Sequence, residues 1–109
     1  MASETRRITF TNEELVLALT RQRRDEKQPL PESRIRGAQV SAMDGAGVKV
    51  SVMLKSPTGD ALEPLDIRPA EVGAALIKFC HLQKIPLPRR AKKSIAVDHG
   101  RIALVLKLP

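Results

Sequence analysis

The residues best suited to covalent chemistry are Cys80, His81 and His99. A cysteine becomes an efficient nucleophile when a histidine lies within hydrogen-bond reach of its thiol. Cys80 and His81 are adjacent, and neighbours on a helix point about 100° apart, so the two side chains do not face each other. Cys80 also falls on an apolar helical stripe, which indicates a buried structural thiol rather than a nucleophile.

Metal and cofactor sites have no signature in this sequence. One Cys and two His offer neither C-x-x-C nor H-E-x-x-H spacing, and no glycine-rich phosphate-binding motif is present. Glu13 and Glu14 are explained by the start of a helix. We therefore expect no enzymatic activity, no cofactor and no metal.

Basic residues give the strongest functional signal. The chain has 19 Lys and Arg against 12 Asp and Glu, a net charge of +7. This balance favours a polyanionic partner such as nucleic acid, although excess charge also serves solubility alone. Arginines near a helix end are in addition favoured by its dipole. The candidate polyanion-binding residues end the first predicted helix or follow the second: Arg21, Arg23, Arg24, Lys84, Arg89, Arg90, Lys92 and Lys93.

An internal repeat separates the charges that the fold needs from those that it does not. Identical residues recur 57 positions apart, and both predicted helices are followed by K-x-P-L-P, ending at Pro31 and Pro88. After this connector the first copy has Glu32 and Ser33, whereas the second has Arg89 and Arg90. Since both copies need the same connector, the fold does not demand the extra charge of the second.

Each copy begins a helix in a recognisable way. Thr11 and Glu14 have the spacing of a capping box, and Pro69 suits the first position of a helix. These signals, with the prolines that follow, predict helices over about 12–26 and 69–83.

Alternating apolar residues predict strands in "GVKVSVMLK" and "RIALVLKL", preceded by partner strands at Ile35–Met43 and Ser94–Asp98. Short strands are expected before the helices, at Arg7–Phe10 and Pro64–Ile67. The predicted fold is α+β: two β-α-β-β repeats, over about 8–55 and 65–108, forming an antiparallel or mixed sheet with two helices on one face. We expect one domain over 1–109, with residues 1–5 flexible.

Two functional hypotheses follow. The first is a non-enzymatic protein-interaction or oligomerisation module that forms a homo-oligomer or binds a protein partner, with Ile77 and Leu82 at the interface because they lie off the apolar stripe of their helix. The alternative is binding of a nucleic-acid backbone through a basic surface. With two Phe and no Trp or Tyr, stacking on bases is nearly excluded.

Cellular location is predicted from Cys80 and from hydropathy. A single cysteine fits a reducing compartment, and no apolar run is long enough to span a membrane, so we expect a cytoplasmic protein with no membrane partner. "KIPLPRRAKKS" after an A-L-x-x-x-C helix resembles a stretch of short, uncharacterised proteobacterial proteins, over residues 65–109. The resemblance implies no activity, cofactor or binding residue.

Overall fold

The computed structural model describes residues 3–45 and 47–109. Within them, two α-helices and six β-strands are joined by loops and one short 3-10 helix. In chain order they are β1 (Glu4–Thr9), α1 (Asn12–Asp25), the 3-10 helix (Glu32–Arg34), β2 (Ile35–Ala42), β3 (Val48–Lys55), β4 (Leu62–Ile67), α2 (Pro69–Leu82), β5 (Lys92–Asp98) and β6 (Arg101–Leu108). The predicted α+β class is confirmed.

The two helices begin differently. At α1 the predicted capping box is present: Glu14 N donates to Thr11 Oγ1 (3.1 Å), and Thr11 N donates to Glu14 Oε1 (2.8 Å). At α2, Pro69 occupies the first turn and the preceding Arg68 makes no side-chain cap. Glu71 stands in the first turn of α2, but its side chain binds Arg23 of α1.

Both helices end in the same hydrogen-bond pattern. Gln28 N donates to Arg23 O (2.9 Å), and Ile85 N donates to Cys80 O (2.8 Å). Between the helix and each of these donors stands a lysine with a positive φ, 59° at Lys27 and 58° at Lys84. This is a Schellman motif, in which a left-handed residue lets the last carbonyls find partners.

The strands form two three-stranded antiparallel sheets. Sheet A has the order β1-β6-β5, and sheet B has the order β2-β3-β4. Edge strands β2 and β5 approach each other, but among the described residues no ladder joins the two sheets. In β2 the register shifts between Ile35 and Gly37, and such a bulge bends a strand locally.

Each sheet takes one strand from the other half of the chain. β1 pairs with β6, and β4 pairs with β3. The registers agree: Ile8 lies opposite Leu104, and Leu65, 57 positions after Ile8, lies opposite Val52. The β-α-β-β order therefore occurs twice, and the first strand of each unit pairs with the hairpin of the other.

One hydrophobic core joins all these elements. The inward side chains of both sheets pack with the apolar sides of both helices, and the rings of Phe10 and Phe79 meet edge to face with centroids 5.9 Å apart. The molecule measures 58 × 31 × 18 Å, a flat shape suited to one helix layer on one layer of strands.

That residues 1–5 are flexible stays a prediction, and it concerns Glu4 and Thr5 of β1. They belong to β1, where they lie opposite Leu108 and Lys107, so their strand is tied to the sheet by main-chain hydrogen bonds. Residues 1 and 2 lie outside the described residues.

Candidate functional site

The segment after α2 presents Arg89 and Arg90 to solvent. Ala91 N donates to Pro88 O (3.2 Å), which closes a turn with both arginines at its tip. Lys93 stabilises the same turn, because its Nζ donates to the carbonyl oxygens of Pro88 (3.4 Å) and Ala91 (3.3 Å). Lys93 is thus engaged in the turn, whereas the two arginines have no acidic partner within the described part of the chain.

Lys92 begins a basic surface on the outer side of sheet A. It lies directly opposite Lys107, and both side chains point away from the core because the alternate positions of β6 fill the core. Arg7 and Arg101 lie further along the same side. We call this surface the basic face; it consists of Lys92, Lys107, Arg7 and Arg101 with Arg89 and Arg90 of the adjoining turn.

The placement of Lys92 opposite Lys107 is electrostatically unfavourable, because like charges directly across antiparallel strands repel at a Cβ separation of about 5 Å. Sheet B avoids this arrangement. Its lysine at the end of β3, Lys55, lies beyond the last residue pair with β2, and its Nζ is 3.9 Å from Asp60. The fold therefore does not require the lysine pair of sheet A.

Asp98 is the one acidic residue among the outward positions of sheet A. Its carboxylate is already engaged: Thr9 Oγ1 donates to it (3.3 Å), Arg7 lies 4.0 Å away, and His99 Nδ1 is 2.8 Å away. Val105, which lies directly opposite Arg7, is only 6% exposed although it faces outward. The basic face thus presents mainly cationic groups and hydroxyls.

The outer side of sheet B has a different character. Met53 and Pro64 lie opposite each other there, and Ser51 Oγ donates to Asp66 Oδ1 (2.7 Å). Lys49 points outward on the same side. The two sheets pair their strands in equivalent registers, but outward positive charge is concentrated on sheet A.

No protein-family model, curated protein or solved structure matches the chain. Over residues 3–45 and 47–109, no group of three or more His, Cys, Asp or Glu is placed to hold a metal ion. In the same residues, neither helix has the length and apolar character needed to cross a bilayer.

Arg23 and Arg24, predicted to bind a polyanion, are held by acidic side chains. Arg23 Nε donates to Glu71 Oε2 (2.5 Å), and the two side chains are only 20% and 8% exposed. Arg24 donates to both carboxylate oxygens of Glu32 (2.8 and 3.0 Å) in an exposed pair. Arg23 in particular is not available on a surface, because it joins α1 to α2.

Arg21 and Lys84 lie away from the basic face. Arg21 stands beside Lys78 where the two helices meet, and Lys84 is exposed at the end of α2. The helices pack against the inner side of the sheets, whereas the basic face points outward from sheet A. Arg21 and Lys84 are therefore not members of the basic face.

Three members of the basic face were missed from the sequence: Arg7, Arg101 and Lys107. Arg101 and Lys107 stand on the polar side of the alternation in "RIALVLKL", so the signal was present. Arg7 gives no such signal, because only its pairing with β6, nearly the whole chain away, places it beside the others.

Cys80 is fully buried, as predicted, at 0% exposure. Burial raises the pKa of the Cys80 thiol, which keeps it protonated and unreactive at neutral pH. His81 and His99 are exposed. The structure therefore gives Cys80 a packing role.

A shallow groove lies between α1 and the start of β2. Val16, Ile35 and Glu13 line it, and Asn12 donates from Nδ2 to Ala38 O (3.3 Å) while Asn12 Oδ1 is buried without a partner among the described residues. The groove is open and mixes apolar and charged side chains, and it holds no arrangement of nucleophile and base.

The two residues predicted to form an interface differ in exposure. Leu82, the last residue of α2, is 55% exposed. Ile77 is half-buried and packs against the core. Leu17 of α1, which is 42% exposed, is closer to Leu82 in exposure than Ile77 is.

Proposed function

We propose that the chain is a duplicated, non-enzymatic binding module whose basic face binds the phosphate backbone of a nucleic acid. The observation that carries the proposal is the lysine pair. Lys92 and Lys107 lie directly opposite each other on a face with Arg7 and Arg101, while the second sheet, built in the same register, lacks this concentration of charge. An anion between the two ammonium groups would turn their repulsion into attraction.

The chemistry of the basic face favours backbone contacts over base contacts. Ammonium and guanidinium groups bind phosphate oxygens, and the hydroxyls of Thr5 and Ser94, which lie on the same outward side, can donate further hydrogen bonds. Aromatic rings for stacking are lacking, since the two Phe of the chain are buried in the core. Binding is therefore expected to tolerate any sequence and to weaken steeply with salt.

The test is a double substitution with a matched control. Lys92→Gln with Lys107→Gln removes the lysine pair, and Lys49→Gln with Lys55→Gln removes two outward lysines from sheet B. Fluorescence anisotropy with labelled duplex DNA and single-stranded RNA, over a range of salt, measures the affinity. We expect the first variant to bind more weakly and to flatten the dependence of log K on log salt by about 0.9 for each lost DNA contact.

The sheet B variant should keep most of the affinity and nearly the same salt slope. Equal losses in the two variants would show that net charge, and not the basic face, drives binding. No binding by the wild type at low salt would reject the proposal. Thermal unfolding should find the Lys92 and Lys107 variant no less stable, because a repulsive pair has been removed.

A second candidate function is self-association or protein binding through the helix side. Leu82 and Leu17 support it, because both are large apolar residues with substantial exposure on the two helices, away from the basic face. The two candidates use different surfaces and can be tested independently.

A further inference from the structure

β1 has a free edge with unpaired main-chain groups. Phe10 N donates to Ile102 O (3.0 Å), so the residues of β1 that exchange hydrogen bonds with β6 are the even-numbered ones. The amides and carbonyls of Thr5, Arg7 and Thr9 therefore point away from β6. Among the described residues, no strand pairs with this side of β1.

The corresponding edge of sheet B is blocked. Arg7 lies opposite Val105 in sheet A, and Pro64, 57 positions after Arg7, lies opposite Met53 in sheet B. Proline has no amide hydrogen to donate, and it is a common means of protecting an edge strand from pairing. The edge strands β1 and β4 thus pair in equivalent registers, but only β4 has a proline at this position to prevent a further strand from pairing.

The charges of β1 oppose pairing with a second copy of the chain. The two antiparallel registers that pair most of β1 with itself place Arg6 opposite Arg6 or Arg7 opposite Arg7. Like charges directly opposite are destabilising, and each molecule carries a net charge of +7. The same arginines attract carboxylates.

We propose that the β1 edge binds an extended acidic segment of a partner protein by strand addition. The main chain of the segment pairs with Thr5, Arg7 and Thr9, which supplies affinity independent of side chains. Aspartate or glutamate at alternate positions faces the outer side, where Arg7, which is 49% exposed and only 4.0 Å from Asp98, turns toward the added strand and supplies selectivity. This site shares Arg7 with the basic face, but it uses main-chain groups that a nucleic acid cannot pair with in this way.

The test uses a fluorescein-labelled peptide in which Glu alternates with Val, and fluorescence anisotropy to measure its affinity. Arg7→Pro introduces into β1 the residue that β4 carries at the matching position, and so removes one outward amide together with one charge. Arg7→Gln removes the charge alone. We expect Arg7→Gln to weaken binding a few-fold and Arg7→Pro to weaken it at least about tenfold further, because a main-chain pairing is lost.

Far-UV circular dichroism and thermal unfolding check that both variants fold. A peptide of the same sequence with alternate amides N-methylated serves as an independent probe of the wild type, and it should bind at least about tenfold more weakly. If Arg7→Pro does not fold, this peptide decides the question.

Four results would overturn the proposal: no binding of the parent peptide by the wild type, equal affinities of Arg7→Pro and Arg7→Gln when both fold, equal binding of the methylated and parent peptides, or a wild-type dimer that Arg7→Pro dissociates. Equal binding of the two peptides with displacement by duplex DNA would assign the peptide to the basic face as a simple polyanion.

Discussion

Arg23 and Glu71 form an ion pair that links the end of α1 to the start of α2. Both side chains are largely shielded from water, so their mutual attraction is weakly screened, but each also depends on the other to offset its desolvation. Removing one partner leaves the other charge without compensation. Arg24 and Glu32 form an exposed pair, so each side chain stays hydrated and the loss of one partner costs little stability.

Arg23→Ala should therefore lower the free energy of unfolding by about 3 kcal/mol, as expected when a buried pair loses one member. Arg24→Ala, a matched change one residue away, should lower it by less than about 1 kcal/mol. Urea denaturation followed by circular dichroism measures both. Similar losses in the two variants would contradict the distinction drawn between buried and exposed pairs.

Helix boundaries could be predicted from the sequence because their causes are local. The capping box at Thr11, the proline at Pro69 and the prolines after each helix act within a few residues. The role of Glu71 could not be predicted, because its partner Arg23 stands 48 positions away on the other helix. Local chemistry likewise gave no way to foresee that Lys27 and Lys84 take left-handed conformations.

The exposed end of α2 can be tested as an association surface. If the chain self-associates through its helix side, Leu82→Glu should convert a dimer into a monomer without changing the circular dichroism spectrum, because Leu82 is already half in water. Light scattering at high protein concentration measures the mass. Ile77→Glu is the contrast: it should lower stability, since Ile77 packs against the core.

A wild-type monomer at every concentration tested would remove self-association through Leu82 as a function. It would leave the basic face and the β1 edge unaffected, because both lie on sheet A. A dimer that survives Leu82→Glu would place the contact elsewhere.

The architecture of the whole molecule depends on pairings that no local pattern specifies. Alternation predicted the strands, and the recurrence at 57 positions predicted two β-α-β-β units. What the pattern did not reveal is that β1 joins the hairpin of β5 and β6 while β4 joins that of β2 and β3. For the same reason the basic face was only half predicted, since Arg7 reaches it through β1. That residues 8–55 and 65–108 superpose remains a prediction.

Cutting the chain within the loop between β3 and β4 should yield two halves, 1–58 and 59–109, that do not fold alone as monomers. Each half lacks two strands of one sheet, one strand of the other and about half of the core, so neither buries enough apolar surface. Mixing them should restore the circular dichroism spectrum and give a one-to-one complex. A half that folds alone as a monomer would show that the strand exchange is not needed for stability.

The long sequence separation between β1 and β6 delays their pairing during translation. β2, β3 and β4 follow one another directly, so sheet B can assemble soon after its last strand leaves the ribosome. β1 emerges first, yet its partner follows about 90 residues later, roughly 5 to 20 seconds at ordinary rates of translation. For that interval both sides of β1 are unpaired, and we expect the like charges of "ETRRIT" to disfavour pairing between the nascent strands of neighbouring chains.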